Sequence, residues 1–107
     1  GVIVDPAKDA WGRKRPAIAD TSVKVCVKPS ASPSYPSGHA TVGYLTAIVL
    51  SDMLPRSRPA LFADAARFAE SRVICGIHYR RAVNVDRRRI MSGHGVCRWI
   101  RIVQIVP

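Results

Sequence analysis

Residues 34–54 read SYPSGHATVGYLTAIVLSDML, and this stretch decides how the chain is built. From Gly38 onward, Val42, Leu45, Ile48, Val49 and Met53 recur at the spacing of a helical face, and Pro55 stops the pattern. The stretch therefore predicts a helix that begins at a turn. Pro36 presets one backbone angle, Ser37 can cap the helix, and Gly38 lets the backbone pass close to another group. His39 is the residue left over. A turn has no need of it, whereas a site that moves a proton near neutral pH does.

A second helix follows. Ser57 is a good N-cap and Pro59 falls inside the first turn, after which RPALFADAARFAESRVICGIH places Leu61, Ala65, Phe68 and Arg72 along one stripe. Phe62, Ala66, Ala69 and Val73 lie beside it. Arg72 thus ends an apolar face, a position from which arginine ordinarily snorkels to solvent. Towards the N-terminus, DPAKDAWGRKR has helix-compatible spacing up to Pro16, which disfavours helix at Arg15. The Ser, Pro and Lys content from there to Pro36 reads as a long loop. Beyond Tyr79 the text RRAVNVDRRRIMSGHGVCRWIRIVQIVP has no clear period, although WIRIVQIV reads as a short strand. There is no internal repeat.

With 107 residues, 48% of them hydrophobic, the chain can form one domain with a modest core and not two. Its net charge of +10 implies an anionic partner or substrate, with nucleic acid, acidic lipid and phosphate esters all admissible. The charge is uneven. Residues 1–78 hold ten Lys or Arg against six Asp or Glu, whereas residues 79–107 hold seven Arg against Asp86 alone. The most apolar run, Ala40 to Leu50, is well short of the ~20 residues that a membrane-spanning helix needs, so no span is expected. The chain opens on Gly1 and contains no recognisable targeting peptide, so it reads as a fragment or a processed product.

Three short elements carry chemistry. Lys8 and Arg15 are separated by six residues and followed by Pro16; Pro36, Ser37, Gly38 and His39 form the second element; Ser71, Arg72 and, five residues on, His78 form the third. In order and internal spacing they resemble the three-part signature of the type 2 phosphatidic acid phosphatase superfamily, which includes bacterial class A nonspecific acid phosphatases and vanadium-dependent haloperoxidases. The flanking text AKDAWGRKRP, SYPSGHAT and SRVICGIHY is most similar to the soluble bacterial acid phosphatases, over about residues 5–79. A single Ser-Gly-His would be weak evidence, and a second one at Ser92, Gly93 and His94 lacks both the preceding proline and the helical run. Three elements in order are specific.

The resemblance implies an all-α, helical-bundle phosphatase domain, incomplete at its N-terminus and divergent at its C-terminus. Residues 1–79 would be its catalytic part and residues 80–107 a basic tail. It implies metal-independent hydrolysis of phosphate monoesters, with His78 as the nucleophile that forms a phosphohistidine and His39 as the general acid. Lys8, Arg15, Ser37, Gly38 and Arg72 would bind the phosphate. No cofactor is expected, vanadate acting only as a phosphate analogue, and the partner is a small phosphate ester in the periplasm or outside the cell.

Elementary chemistry agrees. Phosphoryl transfer asks mainly for positioning and for neutralisation of the non-bridging oxygens, and two arginines can fork onto those oxygens. Neutral His78 and protonated His39 are needed together, so a mildly acidic optimum follows. The ordinary reading of Cys26, Cys75 and Cys97 is buried free thiols, but if the loops carrying Cys26 and Cys75 converge on one phosphate, these two can bridge.

One position departs from the family. Where its third element has an aspartate four residues after the nucleophile, this chain has Ala82. Such a carboxylate orients the imidazole and stabilises its cation, so its loss is expected to slow turnover. Asp86 is the nearest acid in the sequence. The change to arginine-rich text here is what a shifted reading frame or a divergent tail would produce. Two rival readings are a vanadate-dependent haloperoxidase and a non-catalytic basic module that binds anions or nucleic acid through the tail and Trp99.

Overall fold

Gly12 and Pro16 divide the N-terminal segment of this chain into two short helices. A computed structural model describes residues 4–83. Helix α1, Val4–Trp11, ends four residues earlier than its spacing allows, because Gly12 takes a left-handed φ of 54° and donates its N–H to the Lys8 carbonyl. Helix α2, Pro16–Ala19, is a single turn with proline at its first position. The Ser, Pro and Lys content reads as a loop from Pro16 onward, but Pro16 starts this helical turn and only residues 20–37 run without regular structure.

Helix α3, Gly38–Met53, begins where the sequence places it: the Ser37 hydroxyl accepts a hydrogen bond from the Ala40 N–H. A 3-10 turn, Pro55–Ser57, leads into α4, Arg58–Ile74. These two long helices pack on each other through small residues. Ala40 and Ala47 of α3 and Ala65 and Ala69 of α4 are buried around Tyr44 and Val83, with Leu61, Phe62 and Val73 against them. The large residues whose spacing marks α3 as helical are not its packed face, since Val42, Val49 and Met53 are all more than half exposed. Alanine faces let two helices approach closely, which larger side chains would prevent.

After α4 the chain reverses. Gly76 has φ 72°, and a Cβ there would lie 2.6 Å from the Lys24 carbonyl oxygen, so only glycine fits on both counts. The N–H groups of Ile77 and His78 both donate to the Arg72 carbonyl, which tucks His78 beneath the helix end. A further helical turn begins at Arg80. Arg80 grips Glu70 of α4 with both guanidinium nitrogens, and Ala82 and Val83 are buried, so packing continues past Tyr79. Among the described residues there is no strand, and no helix is long and apolar enough to cross a membrane. Most of the basic tail, with Asp86, His94, Cys97, Trp99 and the WIRIVQIV segment, lies outside the described residues.

Cys26 and Cys75 are joined in a disulfide, with Cα atoms 5.1 Å apart. The Cys26 N–H also donates to the Cys75 carbonyl. The bridge ties the long loop to the end of α4, three residues before His78. It closes a separation of 49 residues, for which loop-closure entropy predicts a stabilisation of about 4 kcal/mol. Reduction is therefore expected to lower the unfolding free energy from urea titration by that amount, and thiol titration of the unreduced, denatured chain should find one free thiol. Three would exclude the bridge.

Candidate active site

The three signature elements meet where the start of α3, the end of α1 and the segment after α4 converge. They border an open cavity of about 440 Å³ whose lining includes Lys8, Arg15, Gly38, His39 and His78. Gly38 and His39 open α3, so the positive end of that helix borders the cavity.

Lys8 and Arg15 are buried cations, 6% and 5% exposed. Charged side chains at such depth need partners, and the unstructured loop supplies them. Lys8 Nζ donates to the Pro33 carbonyl at 2.6 Å. Arg15 spends its fork on three acceptors, donating from Nε to the Ser32 carbonyl, from one terminal nitrogen to the Ser32 hydroxyl, and from the other to the Ile77 carbonyl at 3.0 Å. Burial lowers the pKa of both groups. For Lys8 the neighbouring Arg15 lowers it further, while Asp5, which also lines the cavity, pulls the other way. Two buried like charges side by side are relieved when an anion binds between them.

The geometry of His78 defines its protonation. Its Nδ1 lies 2.7 Å from the Ser34 carbonyl oxygen, which can only accept, so Nδ1 carries the proton. Its Nε2 lies 3.4 Å from an Arg15 terminal nitrogen, which can only donate. Nε2 therefore holds a lone pair, which faces Arg15, and His78 lines the cavity together with Lys8 and Arg15. Burial is the main cause of a pKa lowered to about 4, the nearby charges of Arg15, Lys8 and His39 adding to it and the Ser34 bond opposing it.

A consequence for stability follows from that depression. Unfolded, His78 takes up a proton near pH 6.5, and folded only near pH 4. Between those values the unfolded chain binds more protons, so this group's contribution is intact above pH 6.5 and is lost as pH falls through 4, by up to about 3 kcal/mol. Urea unfolding at pH 7 and pH 4 should show a larger loss in the parent than in His78→Gln. Equal losses would contradict the burial of a neutral imidazole.

Two of the predicted phosphate ligands border the cavity without lining it. The Ser37 hydroxyl caps α3, and its N–H points to the Ala82 carbonyl at 3.4 Å. The Arg72 guanidinium lies 5.3 Å from the centre of the Phe68 ring, with Nε on the Ser71 hydroxyl. Its nearer service is through the backbone carbonyl that holds His78. His39 is exposed, its ring meeting Phe68 edge-on at 6.1 Å. Ala82 is fully buried beside Ser37. Among the described residues, no group of three or more His, Cys, Asp or Glu is placed to hold a metal ion.

Sequence reasoning missed the loop carbonyls of Ser32, Pro33 and Ser34, because every residue carries one and composition cannot single them out. It also missed Phe68 as a cavity residue, although its position one turn before Arg72 on α4 is a signal that was present.

The chain is similar in sequence to several known proteins. An acid phosphatase of Zymomonas mobilis is 35% identical over 78 residues, covering 68% of this chain and 29% of its own length. A non-specific acid phosphatase of Providencia stuartii is 35% identical over 94 residues, covering 84% of this chain and 37% of its own, and one from Salmonella typhimurium is 44% identical over 54 residues, covering 50% and 22%. The chain thus spans only about a third of the length of the first two. The family model described as PAP2 superfamily matches residues 1–85, which hold every group lining the cavity. A match over that span, on a helical scaffold that brings Lys8, Arg15, His39 and His78 to one cavity, makes this chain a member of the PAP2 superfamily.

Proposed function

We propose that the protein to which this chain belongs hydrolyses phosphate monoesters through a phosphohistidine on His78, without a metal ion. The observation that carries the reading is a neutral His78, its Nε2 lone pair facing Arg15, that lines one cavity with two buried cations. A phosphoryl group between Lys8 and Arg15 has its oxygens neutralised and its phosphorus within the reach of Nε2. An N–P bond forms as the P–O bond to the leaving group breaks, and protonated His39 delivers its proton to the departing oxygen. Neutral His39 then takes a proton from water, which attacks phosphorus and releases phosphate and His78.

The remaining expected ligands fit around this sequence of steps. Gly38 offers the backbone start of α3 to the phosphate, Ser37 fixes that start, and Arg72 is a cation at the rim. The Ser34 carbonyl orients the imidazole in the way the family's aspartate would, which makes Ala82 tolerable. A neutral acceptor stabilises the imidazolium less than a carboxylate does. The matched relatives are named as acid phosphatases, which favours hydrolysis over halide oxidation. The Cys26–Cys75 disulfide supports an oxidising compartment, the periplasm or the cell exterior.

The test is a quench experiment. Purified chain mixed with a phosphate monoester labelled on phosphorus, then denatured in base, should retain label in a bond that is stable to base and labile to acid. The acid limb of kcat/KM should lie near pH 4, where His78 protonates. Label that is stable to acid, or turnover with no trapped label under conditions of accumulation, would sink the phosphohistidine reading.

A further inference from the structure

Beyond the charged groups, the cavity has an apolar wall. Val4, Val42 and Phe68 line it together with the cations and histidines. Their placement is not random with respect to the chemistry. Phe68 meets His39 edge-on, Val42 follows His39 by one turn of α3, and a Cβ on Gly38 would touch Val4 at 3.7 Å. All three apolar groups therefore gather on the side of Gly38 and His39.

The ring of Phe68 is held in that wall. It lies so close to α3 that a Cβ on Gly43 would come within 3.1 Å of it, and the Arg72 guanidinium stacks beside it. Even so, Phe68 is 42% exposed and Val42 61% exposed. That leaves apolar area open to whatever enters a cavity of about 440 Å³, several times the size of a phosphate group.

We infer that Val4, Val42 and Phe68 form a leaving-group subsite that selects phosphate monoesters of aryl-bearing, apolar alcohols. The inference rests on the role proposed for His39. A general acid must reach the leaving oxygen, so the carbon skeleton attached to that oxygen lies on the His39 side, against the apolar wall. Small polar alcohols leave the wall wet, whereas an aromatic ring covers Phe68 edge-on or offset and displaces that water.

Matched ligands test this without the confounding effect of leaving-group acidity. By calorimetry, 2-phenylethylphosphonate should bind the chain at least about tenfold more tightly than ethylphosphonate, the discrimination that an apolar pocket gives a ligand with added hydrocarbon. The kcat/KM values for the corresponding 2-phenylethyl and ethyl phosphates, whose alcohols are similarly acidic, should follow the same ratio. Phe68→Ala should bring both ratios close to one. Val42→Thr, isosteric and at an exposed position that does not bear on folding, should lower them severalfold.

Equal binding of the two phosphonates by the parent overturns the subsite whether or not hydrolysis occurs. So does an aryl preference that persists undiminished in both variants. If the aryl preference holds and neither phosphate is hydrolysed, the phosphatase reading fails and the subsite stands. Binding of neither phosphonate overturns the cavity as a phosphoryl site and the subsite with it.

Discussion

Replacing His78 with alanine should lower turnover of phosphate monoesters by at least about a thousandfold, the scale on which removal of an attacking nucleophile acts. Among the described residues that line the cavity, His39 is exposed and is assigned the proton transfer. Ser30 and Ser32 also line it, but their hydroxyls bond to each other, and Ser32 also accepts from Arg15. Neither hydroxyl has a neighbouring base among the described bonds. Anion binding should respond differently, because Lys8 and Arg15 keep their anchors on Pro33, Ser32 and Ile77 when the ring is gone. Vanadate affinity is therefore expected to change by less than about tenfold, while hydrolysis collapses. Calorimetric titration with vanadate beside steady-state kinetics decides the matter. Retained turnover in His78→Ala would assign the attack to another group, and a parallel loss of vanadate binding would make His78 a structural support of the cradle.

Arg15→Lys should produce the second large effect, and should do so in stability and activity together. The guanidinium reaches the Ser32 carbonyl, the Ser32 hydroxyl, the Ile77 carbonyl and the face of His78 Nε2 at once. A lysine ammonium keeps the charge but is a single point on a flexible stem and cannot span those partners. Each hydrogen bond to a charged group contributes about 1.5–3 kcal/mol, and a buried carbonyl left without a donor adds its own cost. A stability loss of about 3 kcal/mol is expected, with kcat/KM down by about a hundredfold as His78 and the loop lose their common anchor. The control is Arg13→Lys. The Arg13 side chain stacks over Tyr79 at 4.1 Å and does not line the cavity, so the change should affect urea midpoints and turnover little. Equal effects at the two positions would mean that charge alone, not the fork, matters at Arg15.

The two histidines divide between what each depends on. His39 needs only the turn and helix that its neighbours encode, so its place at the head of α3 follows from Ser37, Gly38 and the helical run behind them. His78 is different. Its tautomer comes from Ser34, which is 44 residues away in the chain, and its low pKa from burial, with the charge of Arg15, 63 residues away, adding to it. Ala82 illustrates the same point from the other side. Read along the sequence it is a missing acid, whereas in the fold the Ser34 carbonyl already occupies Nδ1, and Ala82 fills a fully buried position whose carbonyl faces Ser37.

Local signals were sufficient for α3 and α4 and where they begin and end, but not for α1, which Gly12 ends early, nor for α2, and Ser57 precedes α4 without a side-chain cap bond. Apolar spacing at 3.6 residues, Ser37 as a cap and Pro55 and Pro59 as boundaries are properties of neighbouring residues, and they act before any tertiary contact forms. Spacing was also sufficient to name Lys8, Arg15, His39 and His78, because a signature is itself a sequence property. Which face of α3 would be buried was not legible. Val42, Val49 and Met53 are the more hydrophobic choice, but α4 presents Ala65 and Ala69, and only the alanine face of α3 lets the two backbones come together. The cavity's partners were not legible either. Backbone carbonyls carry no residue identity, and which of them turn inward is decided when the Cys26–Cys75 bridge and the left-handed Gly76 fold the long loop against the end of α4. The sequence by itself thus determined the two long helices and the signature residues they carry. Tertiary structure alone decided which groups line the cavity, because burial, hydrogen-bond satisfaction and charge proximity are set by residues far apart in the chain.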